Sequence, residues 1–385
     1  MRNWTTHLTW LPMAAVLTLH GCGGGSGNAT VQTGTTATPP TTVTGTTSTG
    51  TPTSSAITPN QSGTAAAFIF SPYKDTSIDM DWNTGVISTE VTGGGSPVPM
   101  LSVLPSGLNT VSWAFATGDC TAESWGGAPS ATVANANVAL FVSGKVNYIL
   151  STGGAGGVFT CASASNLVAF INRYASPYLV GIDFDIEDGQ TQGEVDNLVQ
   201  AVKGAQATFP NMRFSFTVGT LAANAGGTIA ASLGSAATDN FGAYGDMVMS
   251  AIGQYGLTRF TINLMVMDYG PPSAGVCVVN AAGACDMGQS AIQAAYNLHD
   301  KWGVPYAQIE LTAMIGGNDQ AGETFTLQDA DTVAAFALKQ GLAGVHFWSF
   351  DRDTDCAPAA ASATCNTYGQ AGTLGFAREF VKGGL

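Results

Sequence analysis

The run GIDFDIEDG, Gly181 to Gly189, alternates acidic with apolar side chains: Asp183, Asp185 and Glu187 interleave with Ile182, Phe184 and Ile186. At the two-residue period of a β-strand, the acids share one face and the apolar residues the other. Such a strand needs an apolar layer on one side and a polar environment on the other. Only 10% of the chain is charged, so this concentration of acid is a strong constraint on architecture.

The rest of the sequence supplies the layers. Short β-type runs at 66–73, 109–118, 146–152, 179–187, 213–220, 260–269, 309–316 and 343–350 alternate with helix-type runs, among them 194–209, 290–302, 327–340 and a last one, TLGFAREFVKG. The helical runs carry apolar residues at three and four spacing. Eight β-then-α units over residues 64–385 predict an α/β fold of the (β/α)8 TIM barrel type, in which apolar strand faces pack on helices and the other faces look inward. No Gly-rich dinucleotide fingerprint argues for an open doubly wound sheet. On this map the three acids line the interior, with Glu187 uppermost, at the C-terminal end of the barrel where active sites lie.

Alternate side chains on a strand stand ~6 to 7 Å apart. Carboxylates at that spacing repel in a poorly hydrated interior, which favours retention of a proton by at least one of them. A protonated carboxylic acid at a barrel mouth is a general acid. A half-exposed acidic strand face and a calcium site are the other readings of the spacing.

The N-terminal 22 residues have one basic residue, an apolar stretch from Leu8 to Leu19, and small residues around Cys22, as an export signal does. LHGC also looks like a lipobox with Cys22 as the lipidated residue, ordinary cleavage and secretion being the alternative. Residues 23–63 are almost wholly Gly, Thr, Ser, Pro and Ala, and read as a disordered linker. Residues 64–385 then form the folded domain of an exported bacterial protein, whose contact with a membrane is through a lipid anchor alone. With Cys22 set aside, six of the seven cysteines remain to be oxidised in such a setting. Proximity favours Cys277–Cys285 and Cys356–Cys365, leaving Cys120–Cys161. These spacings contain no CxxC pair, so zinc is not expected, nor any other metal or cofactor. Net charge is -14 without a Lys/Arg cluster, which argues against nucleic-acid partners.

Several segments together resemble glycoside hydrolase family 18, the chitinases and their relatives. GIDFDIE is similar to that family's DGxDxDxE signature, with Val180 at the first Asp position. STGG, Ser151 to Gly154, looks like its SxGG motif, MVMDY, Met265 to Tyr269, like MxYD, and FWSFDRD, Phe347 to Asp353, like the eighth-strand segment with a Trp beneath the substrate. The resemblance spans about residues 66–382.

The resemblance implies a retaining endo-chitinase that hydrolyses β-1,4 links between N-acetylglucosamine units by substrate assistance, with no enzyme nucleophile. By position Glu187 is then the acid/base, Asp185 orients the acetamido group, Asp183 tunes Asp185 from below, and Asp268 contacts the same sugar. Met267 stands where the family has Tyr and cannot donate a hydrogen bond. Tyr269, two residues on, supplies that bond if the strand continues. Trp348 is the expected subsite floor and Trp125 a second platform; Trp82, Trp113 and His346 read as core residues. MIGGNDQAGETFT leaves no room for the α+β insertion that walls the groove of some relatives. A monomer acting on chitin or related oligosaccharides is the expected form. An endo-β-N-acetylglucosaminidase acting on glycoprotein glycans, or a silent chitin-binding lectin, are the alternatives.

Overall fold

The structure is a computed structural model that describes residues 67–224, 242–358 and 361–385; the export segment, Cys22 and the linker at 23–63 lie outside the described residues. Eight parallel strands form the barrel: β1 Ile69–Asp75, β2 Thr110–Asp119, β3 Asn147–Gly153, β4 Leu179–Asp185, β5 Arg213–Gly219, β6 Thr261–Met265, β7 Ile309–Met314 and β8 Gly344–Trp348. Each strand pairs with its neighbours in order, and β1 pairs with both β8 and β2, which closes the sheet on itself. All eight overlap the segments expected from sequence.

Outward side chains pack under the helices, as Phe184 and Phe216 do, fully buried with ring centroids 5.4 Å apart. The helices are α1 Ser130–Gly144, α2 Ala164–Arg173, α3 Gln192–Ala205, α4 Gly242–Tyr255, α5 Met287–Trp302, α6 Leu327–Gln340 and α7 Gly375–Lys382. Local chemistry sets their ends. Capping boxes open α3, with Thr191 and Glu194, and α6, with Thr326 and Asp329. Gly341 closes α6 in the left-handed region.

The expected eight β-then-α units need one correction. No α-helix separates β1 from β2; residues 76–109 hold a two-residue antiparallel pairing, Ser88–Thr89 with Val98–Pro99, and a 3-10 turn at Met100–Ser102. Gly93, Gly94, Gly95, Pro97, Pro99 and Pro105 explain this, because glycine and proline cost a helix interior about 1 and 3 kcal/mol each. Two strands also end early. β4 stops at Asp185 rather than 187 and β6 at Met265 rather than 269.

Between β7 and α6 lies only a small hairpin, Gly316–Gly317 with Thr324–Phe325, so no α+β insertion stands there. Cys120–Cys161, Cys277–Cys285 and Cys356–Cys365 are bonded, with Cα separations of 5.2, 5.7 and 5.7 Å. Each bridge lies in segments that follow a strand, on the C-terminal face. No helix among the described residues is long and apolar enough to cross a membrane.

The barrel interior is polar. In its lower part Arg213 of β5 forms an ion pair with Glu310 of β7, whose other oxygen meets His346 Nε2 at 2.9 Å. His346 Nδ1 lies 2.8 Å from Ser71 Oγ, and Ser71 Oγ lies 2.9 Å from Ser112 Oγ. His346 is thus a satisfied core residue. Burial and the neighbouring Arg213 push its pKa down to about 4.

Candidate active site

Above that layer Asp183 and Asp185 of β4 and Glu187, two residues past its end, stand in a ladder. Asp183 is 2% exposed and accepts four hydroxyls: Tyr73 at 2.9 Å and Ser151 at 2.6 Å on Oδ2, and Ser215 and Thr217 at 2.7 Å each on Oδ1. Asn263 fixes two of these donors, giving hydrogen bonds to Tyr73 Oη at 2.9 Å and Thr217 Oγ1 at 2.8 Å, while Thr312 donates to Asn263 Oδ1 at 2.8 Å. Donors from β1, β3 and β5, held in turn by Asn263 of β6 and Thr312 of β7, therefore orient one carboxylate. Sequence reasoning missed Tyr73, Ser215, Thr217, Asn263 and Thr312. Their signal was present as polar residues at alternate positions of otherwise apolar strands, as in RFSFTVG and TINLM.

Asp185 and Glu187 share a hydrogen bond one level higher. Both pKa values are raised, first by burial. For Asp185 the charges of Glu187 and Asp183 add to the shift; for Glu187 the bond from Asp185 and the backbone N–H of Ala155 oppose it. The pair therefore favours holding one proton between its two carboxyls. One oxygen of Asp185, Oδ1, is buried without a protein donor. The β3 exit must pass very close to these groups, which explains two glycines of STGG. A Cβ on Gly153, at φ 87°, would lie 2.0 Å from the Asp185 carbonyl oxygen, and one on Gly154, at φ 82°, 2.6 Å from the Phe115 ring.

At the end of β6 the chain turns away instead of continuing as a strand. Met267 is half-buried, and Asp268 adopts φ 51°, in the left-handed region. Asp268 Oδ1 accepts the Gln320 N–H at 3.0 Å, and burial raises its pKa. Its charge helps to raise Glu187, so the structure brings Asp183, Asp185, Glu187 and Asp268 into one electrostatic unit. The strand-face argument that pairs Tyr269 with Met267 does not hold, because β6 has already ended. Tyr269 is 3% exposed, and its hydroxyl is buried without a protein partner in the field of Glu323. Glu323, from the β7–α6 loop, accepts the backbone N–H groups of Tyr269 and Gly270, and burial pushes its pKa up to about 7.

Trp348 is half-exposed at the end of β8 and stacks on Phe115 of β2, with ring centroids 5.5 Å apart and planes at 19°. Phe115, also half-exposed, was not legible as a site residue. Trp125 is a correction. It is fully buried, it meets Trp113 edge-on at 6.2 Å, and its indole N–H donates to Tyr174 Oη at 2.7 Å, so it offers no ring face to a ligand. Trp82 errs the other way: expected in the core, it is 57% exposed. Among the described residues no cluster of three or more His, Cys, Asp or Glu is arranged to hold a metal ion.

No family model matches the sequence. A probable bifunctional chitinase/lysozyme of Escherichia coli (strain K12) is 34% identical over 116 residues, 28% of this chain; the chain covers 13% of that protein's length. The catalytic domain of a hyperthermophilic chitinase from Pyrococcus furiosus superposes with a TM-score of 0.59 at 22% identity, over 83% of this chain and 96% of that one. Catalytic-site mutants of active domain 2 of the thermostable chitinase from the same organism, complexed with chito-oligosaccharides, give 0.57 at 22% identity, over 83% and 97%. The closed eight-stranded barrel and these likenesses identify the described chain as a (β/α)8 barrel of the same fold as these chitinase catalytic domains.

Proposed function

We propose that the domain is a retaining endo-chitinase that cleaves β-1,4 links between N-acetylglucosamine units with Glu187 as acid and base. The observation that carries this reading is the proton-sharing pair Asp185–Glu187, set above a fully hydrogen-bonded Asp183 and beside a buried, donorless oxygen of Asp185. Glu187 is the more exposed member of the pair. A sugar chain lying over it removes water and favours its protonated form, which then protonates the leaving glycosidic oxygen. The free Asp185 oxygen suits an acetamido N–H, and orienting that group aims the substrate's own carbonyl oxygen at the anomeric carbon. Glu187, now a carboxylate, takes a proton from the water that opens the cyclic intermediate. Two inversions give net retention. Trp348 offers a flat apolar face to one sugar.

The β7–α6 loop raises no wall beside the site, which supports mid-chain binding and endo-cleavage. The three disulfides support an oxidising, extracytoplasmic location. The test is release of soluble oligosaccharides from colloidal chitin. Glu187→Gln keeps the shape of the acid but not its proton, and should lower the rate by about 10²- to 10⁴-fold while binding chito-oligosaccharide as wild type does. Hydrolysis within tenfold of wild type would remove Glu187 from its role.

A further inference from the structure

The exit of β6 holds a left-handed backbone conformation at Asp268, next to the acid ladder. Asp enters the left-handed region more readily than most non-glycine residues, and the φ of 51° at Asp268 is held by hydrogen bonds from its surroundings. Those surroundings come from one loop. The Asp268 N–H reaches Asn318 Oδ1 at 3.3 Å, and Asp268 Oδ1 accepts from Gln320 N–H at 3.0 Å. The two oxygens of Glu323 take the next two amides, Tyr269 at 3.1 Å and Gly270 at 3.0 Å. Asn318 is itself fixed, donating to the carbonyls of Met314 at 2.9 Å and Gly316 at 3.1 Å, with its own N–H on the Glu323 carbonyl at 3.0 Å. Glu323 is 3% exposed and no cation pairs with it among the described residues, so its carboxylate is committed to these amides.

We propose that Glu323 is a positioning residue: by clamping the Tyr269 and Gly270 amides it fixes the turn that presents Asp268 to Glu187 and to the bound sugar. This rests on the hydrolase reading of the same site. Glu323 touches neither substrate nor the reacting atoms; it acts through Asp268. The neighbours able to change that turn's charge are Asp268 itself, Asp319 on the same loop and Arg352 beyond β8.

A double-mutant cycle with Asp268 separates positioning from general support of the fold. Glu323→Gln puts an amide NH2 against a backbone N–H, and should lower kcat/KM on a chito-oligosaccharide by tenfold or more. In an Asp268→Ala background the same change should cost less than twofold, since the group it positions is gone. Glu323→Asp, which keeps two acceptor oxygens, should recover part of the single-variant loss. Equal losses in both backgrounds, or no loss in the first, would overturn the proposal. The cycle is read as Kd of the oligosaccharide if the wild type binds without cleaving, an outcome that counts against the hydrolase reading alone. Amide hydrogen exchange reads the clamp by itself: Tyr269 and Gly270 should exchange faster in Glu323→Gln. Unchanged protection there would overturn the proposal whatever the protein does to chitin.

Discussion

Two clusters of buried charge sit one above the other in the same barrel, and they are solved differently. The lower one, Arg213, Glu310 and His346, joins cation to anion and caps the remaining ring nitrogen with Ser71. The upper one places Asp185 and Glu187 side by side above Asp183, and no basic side chain lowers the pKa of either. In the lower cluster electrostatic attraction between Arg213 and Glu310 offsets desolvation, although Arg213 Nε stays buried without a partner. In the upper cluster a proton has to do what a cation does below, and a proton can be transferred. A cation opposite the buried acid is the mark of the structural charge cluster in this barrel, and its absence the mark of the reactive one.

Variants at the two levels should therefore fail in opposite ways. Asp185→Asn should lower chitin hydrolysis by about 10²- to 10³-fold, the scale seen on removing one preorganised polar group from a reacting centre. Its melting temperature should stay level or rise, because a carboxyl whose charged form burial disfavours has become a neutral amide. Arg213→Met should do the reverse, leaving Glu310 buried without its cation at a cost of about 3 to 5 kcal/mol in stability. The protein that remains folded should keep its turnover number. Paired denaturation curves and single-temperature rates check both; a large stability loss in Asp185→Asn would erase the distinction.

A smaller effect concerns pH. His346 has a folded-state pKa of about 4, against about 6.5 in an unfolded chain. Between those values the unfolded chain binds the proton that the folded one refuses, so His346 contributes stability above the window and loses it as pH falls through it. The raised acids of the upper cluster work in the other direction. Their folded forms hold a proton that the unfolded chain releases, so their contribution falls as pH rises above about 4. Melting temperatures across this range should thus be flatter on the acid side in His346→Gln and flatter on the alkaline side in Asp185→Asn. Parallel profiles for the two variants would contradict the assignment.

The barrel and the acid ladder were legible because both are written in period: alternation every second residue on GIDFDIE, and three-and-four spacing on the helices. What stayed hidden depends on where a strand stops. Nothing local in FTINLMVMDY announces that β6 ends at Met265 and that Asp268 turns left-handed, because the residues that hold the turn, Asn318, Gln320 and Glu323, are some 50 positions away. Tryptophan roles were equally illegible. Trp82 follows β1 in a turn and Trp125 lies in a two-residue strand paired with β2, and only the packing of Trp113 and Tyr174 around Trp125 decides which of the two is buried. The missing helix after β1 was readable in principle from its Gly and Pro content, which the count of alternating units overrode.

The central claim is that the upper cluster keeps a proton at neutral pH because no cation neutralises it. Infrared difference spectroscopy of wild type against the Asp185→Asn/Glu187→Gln double variant at pH 7 tests it most directly, since a protonated carboxyl has a C=O stretch distinct from that of a carboxylate. The account predicts that wild type carries a carboxylic-acid band that the double variant lacks, and that this band fades as the pH is raised. A difference spectrum showing only the loss of two carboxylates at pH 7, with no carboxylic-acid signal, would contradict it.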